Sequence, residues 1–80
     1  MYTSFIGLNI DFDKEDSITD ALMELEPVIE VYTMMQPFDM FIKVTAENQK
    51  GLESAVESIL KIDGVRKTYN FLTVQQKKGK

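Results

Sequence analysis

Eighty residues with 44% hydrophobic content make one domain near the lower limit of a self-sufficient core, so oligomerisation is an expected source of added stability. The chain has no cysteine and no histidine, which excludes disulfides, thiolate metal sites and the commonest general base. Its net charge is −4, and setting aside the +3 of Lys77, Lys78 and Lys80 leaves −7 on residues 1–76, a body that repels phosphate backbones.

No apolar run approaches the ~20 residues of a membrane span. The N-terminus lacks the basic start and long apolar core of a secretion signal. The expectation is a soluble, cytoplasmic protein with no membrane contact. Residues 1–76 are read as the folded domain and residues 77–80 as a flexible basic tail.

In chain order, Ile6, Leu8 and Ile10 alternate with Phe5, Gly7 and Asn9, the period-2 pattern of a first strand over residues 2–10. An acidic entry follows, in which Asp13 or Asp16 is expected to cap a helix. Ile18, Ala21, Leu22 and Leu25 supply that helix's apolar stripe at i, i+3, i+4 and i+7. Pro27 stops it, and the expected last residue is Leu25. Residues 28–35 are rich in β-branched and aromatic side chains and are expected to form a second strand covered on both faces. After a turn of Gln36, Pro37, Phe38 and Asp39, residues 40–44 alternate again and return antiparallel as a hairpin. Thr45 or Asn48 is expected to cap a second helix whose stripe is Leu52, Ala55, Val56, Ile59 and Leu60. Gly64 is expected to be its left-handed stop. Residues 65–74 then read as a fourth strand.

The two halves repeat. A shift of 37 residues superposes Leu22 on Ile59, Leu25 on Ile62, Glu26 on Asp63, Pro27 on Gly64, Val28 on Val65 and Tyr32 on Tyr69. Two β-α-β units give an α+β fold of the ferredoxin-like βαββαβ type, a four-stranded antiparallel sheet with both helices on one face. The other face would carry Phe5, Phe41 and parts of strands two and four. A bare aromatic sheet face is an interaction surface, and a homodimer through the sheet is expected.

Several local patterns carry no chemistry. Asp11, Asp13, Glu15 and Asp16 resemble a calcium loop, but Asp16 stands where glycine is required and Leu22 where a bidentate glutamate is required. Met34, Met35 and Met40 lack any cysteine or histidine to help hold Cu(I), and methionine fills apolar strands. Phe38 and Phe41 on the third strand invite comparison with RNA-recognition modules, yet their neighbour is Asp39 and the body is acidic. The lysine-rich tail reads as solubilising. No nucleophile–base pair is visible, so the chain reads as a non-enzyme.

The sequence resembles the effector-binding domain of the Lrp/AsnC family of feast/famine transcription regulators, here without the helix-turn-helix domain. Leu25-Glu26-Pro27-Val28-Ile29-Glu30-Val31-Tyr32 is similar to the family's L-P-x-V-x-x-x-Y run. Phe38-Asp39-Met40-Phe41-Ile42-Lys43-Val44 is similar to its Y-D-L-L-L-K-V strand, and Ile62-Asp63-Gly64-Val65-Arg66-Lys67-Thr68 to its I-P-G-V-x-x-T. The resemblance implies a stand-alone effector-sensing and oligomerisation module with no cofactor and no direct nucleic-acid contact. It implies a homodimer, often assembled into a ring of dimers, and a full-length Lrp/AsnC regulator as partner. It also implies a small amino-acid-like effector at an inter-subunit interface, bound by Gln36, Pro37, Phe38 and Asp39 of the turn and by Thr68 and Asn70 of the last strand. An effector ammonium would seek a carboxylate such as Asp39. Where the family usually has Gly-Asp this chain has Gln36-Pro37, and where it often has Thr-x-Thr it has Thr68-Tyr69-Asn70. Two alternatives share the strand order. One is a small dimeric α+β-barrel enzyme, against which the apolar filling of the helix–sheet space argues. The other is an ACT-like regulatory domain, whose glycine between first strand and helix is missing here.

Overall fold

The computed structural model describes residues 1–75 and 77–79, Leu72 by its backbone alone. Strand β1 spans Tyr2–Ile10, helix α1 Glu15–Glu24, strand β2 Val28–Thr33, strand β3 Met40–Ala46, helix α2 Gln49–Leu60 and strand β4 Val65–Gln75, with a 3-10 turn at Phe12–Lys14 before α1. The sheet order is β2-β3-β1-β4, and every neighbouring pair is antiparallel. This is the βαββαβ ferredoxin-like arrangement expected from the duplicated pattern.

The duplication is visible in the hydrogen bonds. Leu25 N donates to Leu22 O at 3.0 Å and Val28 N to Leu25 O at 3.0 Å. Thirty-seven residues later Ile62 N donates to Ile59 O at 3.1 Å and Val65 N to Ile62 O at 3.2 Å. Each half therefore leaves its helix and enters its outer strand through the same pair of turns. Pro27 occupies the third position of the Leu25–Val28 turn and Gly64 that of the Ile62–Val65 turn, where Gly64 has φ 101°, a conformation that favours glycine. Gly64 thus serves the turn into β4, three residues past the Lys61 cap of α2, and is not the immediate helix stop.

One face of the sheet is sealed. Ile6, Leu8 and Ile10 of β1 and Met40, Ile42 and Val44 of β3 are buried with Ile18 and Leu22 of α1 and Leu52, Ala55 and Ile59 of α2. Burying each such aliphatic side chain stabilises by about 1.5–3 kcal/mol before the chain's ordering entropy is set against it. Asn48 caps α2, its Oδ1 accepting from Gly51 N at 2.8 Å, as one of the two candidates was expected to do.

Five local expectations are corrected. Neither Asp13 nor Asp16 caps α1; Lys14 holds the N-cap position with no side-chain bond. Long-range partners decide this entry: Asp11 N donates to Gly64 O at 2.8 Å, the Asp11 carboxylate pairs with Arg66, and Lys14 Nζ meets Asp63 Oδ2 at 2.8 Å. Helix α1 stops at Glu24, and Leu25 is already extended. Leu60 is 50% exposed, and Ile62 packs on the core beyond the helix end. Strand β2 ends at Thr33, and Ile29 and Tyr32 are exposed, so this strand is covered on one face only. Of the expected tail, Lys77 and Lys78 are irregular and exposed; Lys80 lies outside the described residues.

Candidate functional site

The uncovered sheet face is built from aromatic rings. On β1 and β3, Phe5 and Phe41 stack with centroids 6.0 Å apart and planes 15° from parallel. Phe71 of β4 meets Phe41 at 5.8 Å. A register shift in the β1–β4 ladder between Phe5 and Ile6 leaves Phe71 without a partner on β1; this bulge puts its ring on the open face while Asn70 and Thr73 stay on the helix face. Phe71 is 55% exposed and Tyr69 40%, so the cluster is a half-built apolar layer.

The turn between β2 and β3 adds the fifth ring. Phe38 folds back onto the open face, 4.8 Å from Tyr69 and 5.0 Å from Phe71 by ring centroids. Its seat is Gly7: a β-carbon there would lie 2.5 Å from Phe38 Cδ2. Glycine in a strand interior marks close approach, the one sequence signal that could have located this contact. Asp39 is anchored alongside. Its amide donates to Leu8 O at 2.9 Å, its carbonyl accepts from Met34 N at 3.0 Å, and its Oδ2 accepts from Ile10 N at 2.9 Å. The carboxylate therefore closes the end of β1 beyond the last β3 pairing, Leu8 with Met40. Gln36 and Pro37 are exposed at the tip, and their peptide bond is cis.

Thr68 and Asn70 sit elsewhere. They pair with Leu8 and Ile6, whose side chains enter the core, so alternation places both on the helix side. Within the chain the structure brings Phe38 to Tyr69 and Phe71 but does not bring the turn to Thr68 and Asn70. Asn70 instead borders a cleft between β4 and α2.

Charge on the open face comes from Lys67 of β4, opposite Asn9, and from an ion pair on the β2–β3 side. Lys43 Nζ lies 3.9 Å from Glu30 Oε1. The Tyr32 hydroxyl is held above its ordinary pKa first by hydrogen bonding to Glu30, then by lost solvation and that carboxylate's charge. Among the described residues no helix is long and apolar enough to cross a membrane.

Residues 3–80 match the family model described as the Lrp/AsnC ligand binding domain. The HTH-type transcriptional regulator FL11 of Pyrococcus abyssi is 27% identical over 75 residues, 94% of this chain and 50% of that protein. The chain thus spans about half the length of the curated relatives it matches. Among solved structures, TTHA0845 from Thermus thermophilus aligns with TM-score 0.85 and 25% identity over 100% of both chains. E. coli AsnC aligns with TM-score 0.83 and 27% identity over 94% of this chain and 51% of its own.

Proposed function

The chain belongs to the Lrp/AsnC ligand-binding domain family, and from that premise we propose that it is an effector-sensing and assembly module of transcription regulation. Its named relatives are transcription regulators and not enzymes. In this reading two copies join through their open sheet faces, dimers join further into a ring, and a small amino-acid-like ligand binds where subunits meet. The module works in the cytoplasm and acts by co-assembly with a full-length regulator.

The carrying observation is the open aromatic face of Phe5, Phe38, Phe41, Tyr69 and Phe71. Tyr69 and Phe71, 40% and 55% exposed beside the half-buried Phe5 and Phe41, forfeit burial worth far more than scattered surface apolars, and each ring pair gains about 0.5–1.5 kcal/mol beyond its area. The split of the expected ligand residues supports an inter-subunit site: the turn and the Thr68–Asn70 pair lie on opposite sheet faces, so joining them in one pocket requires two protomers. An amino-acid ligand has a precedent in a Neisseria meningitidis transcriptional regulator solved as an L-Met complex, which shares the fold at TM-score 0.82 and 14% identity.

Light scattering at micromolar concentration is expected to give a dimer or larger assembly, and Phe71→Glu a folded monomer. A wild-type monomer would refute the assembly reading. A thermal-shift screen of the amino acids tests sensing: a ligand at a hundredfold excess over its Kd stabilises by about 2.7 kcal/mol, and a flat response to all of them would refute it.

A further inference from the structure

The helix-facing row of β1 runs Ser4, Ile6, Leu8, Ile10. All are buried, and Ser4 is 0% exposed, a polar residue in a row of aliphatics. Its hydroxyl is 2.7 Å from Thr73 Oγ1 on β4, and Thr73 reaches Asn70 Oδ1 at 3.4 Å. An edge strand lying in solvent would be polar on this face too, but that does not account for a fully buried serine on the strand beside it. Ser4, Thr73 and Asn70 instead form the floor of a cleft of about 300 Å³ between β4 and α2, with Leu52 and Val56 as its apolar wall and Glu53 at its rim.

The lining decides the chemistry. Among the described residues its one charged group is a carboxylate, so an anion would meet no counter-charge there, and the acidic body adds to that repulsion. The hydroxyls and the amides of Asn70 and Gln49 can both donate and accept. The wall is aliphatic, and the volume is at the lower end for small-molecule sites. We propose that this cleft binds a small primary-ammonium ligand with a short aliphatic body, the ammonium on Glu53, neighbouring polar atoms on Thr73 and Asn70, and the carbon chain against Leu52 and Val56. The site lies within one protomer and on the helix side of the sheet. It goes beyond the inter-subunit reading and does not depend on assembly through the open face.

Amide spectra of the ¹⁵N-labelled full chain, titrated separately with n-butylamine, L-norvaline and butyrate, test this. The two ammonium probes are expected to shift Ser4, Leu52, Glu53 and Thr73, and butyrate is not; Asn70, shared with the inter-subunit reading, does not separate the two sites. Norvaline binding more tightly identifies an amino acid as the source, and butylamine binding more tightly a simple amine. Glu53 is exposed on α2, so Glu53→Gln keeps the fold and is expected to weaken binding about fivefold, the loss of one solvated charge contact; Val56→Ala, which shortens the apolar wall of the cleft alone, is a second variant expected to weaken it. The proposal is overturned if neither ammonium probe moves the cleft amides, if butyrate moves them equally, or if Glu53→Gln binds as wild type. Norvaline shifts confined to Gln36, Phe38 and Asp39 would support the inter-subunit site and overturn the cleft.

Discussion

Replacing Gly7 by alanine tests whether Phe38 is locked onto the sheet. The added β-carbon would lie 2.5, 2.7 and 2.9 Å from Phe38 Cδ2, Cγ and Cε2, against about 3.5–4.0 Å for unstrained carbon contact. The ring must therefore retreat by roughly 1 Å. It cannot do so freely, because Tyr69 and Phe71 hold it at 4.8 and 5.0 Å, and the contact includes Cγ, which moves only with the backbone or χ1. Overpacking of this kind costs about 1–3 kcal/mol, and the lost chain entropy of glycine returns about 0.4–1 of that. The net expectation is a destabilisation of about 1–2 kcal/mol. Urea unfolding at fixed protein concentration reads it as a lower midpoint with an unchanged slope. Phe38→Ala, which empties a site only 9% exposed, should itself cost about 3–5 kcal/mol. In that background Gly7→Ala should become neutral or stabilising, so the two changes are coupled. Additive effects, or a neutral Gly7→Ala single variant, would show that Phe38 does not rest on Gly7.

Asp39→Ala should cost about 1.5–3 kcal/mol, since it strands the Ile10 amide that now donates to a charged acceptor; hydrogen exchange at Ile10 should quicken, and an unaltered exchange rate would argue that the bond is not formed in solution. Leu22→Ala and Ile59→Ala, both at fully buried positions, should each lose about 2–5 kcal/mol in chemical denaturation. Gly64→Ala should cost about 1–3 kcal/mol, because φ is 101° and the new carbon would sit 2.8 Å from Ile18 Cδ1; a thermal melt equal to wild type would contradict it. Hydrogen bonding to Asp63, then that carboxylate's charge, raises the Lys14 ammonium above its ordinary 10.5. A raised pKa means the folded state holds the proton more tightly, so this contribution is fully present below pH 10.5 and fades as pH rises through the folded value. The stability gap between wild type and Lys14→Met should therefore close above pH 10.5 and stay constant between pH 6 and 9.

The order of elements is legible along the chain because each rests on local rules: period-2 rows in β1 and β3, a 3.6-period stripe in α2, and a 37-residue repeat that the structure carries down to the paired turns at Leu25 and Ile62. The candidate site is legible only in part. Sequence similarity puts Gln36, Pro37, Phe38, Asp39, Thr68 and Asn70 into one set, while the fold divides that set across the two faces of the sheet. The roles the residues take up locally also differ from what residue type implies. An acidic entry implies a helix cap, yet Asp11 is engaged by Arg66 and Gly64, more than fifty residues away.

The chain by itself determined the fold, the apolar core and membership of the family, since those follow from periodicity and from motifs that each occupy a few consecutive residues. Only the tertiary structure decided which face each functional candidate occupies, that Gly7 is the seat of Phe38, and that Ser4 and Thr73 meet beneath α2. Those facts depend on strand register and on bulges, and a register displaced by one residue turns every side chain to the opposite face. No local pattern encodes the pairing of Ser4 with Thr73 across 69 residues, so it exists only once β1 and β4 lie side by side.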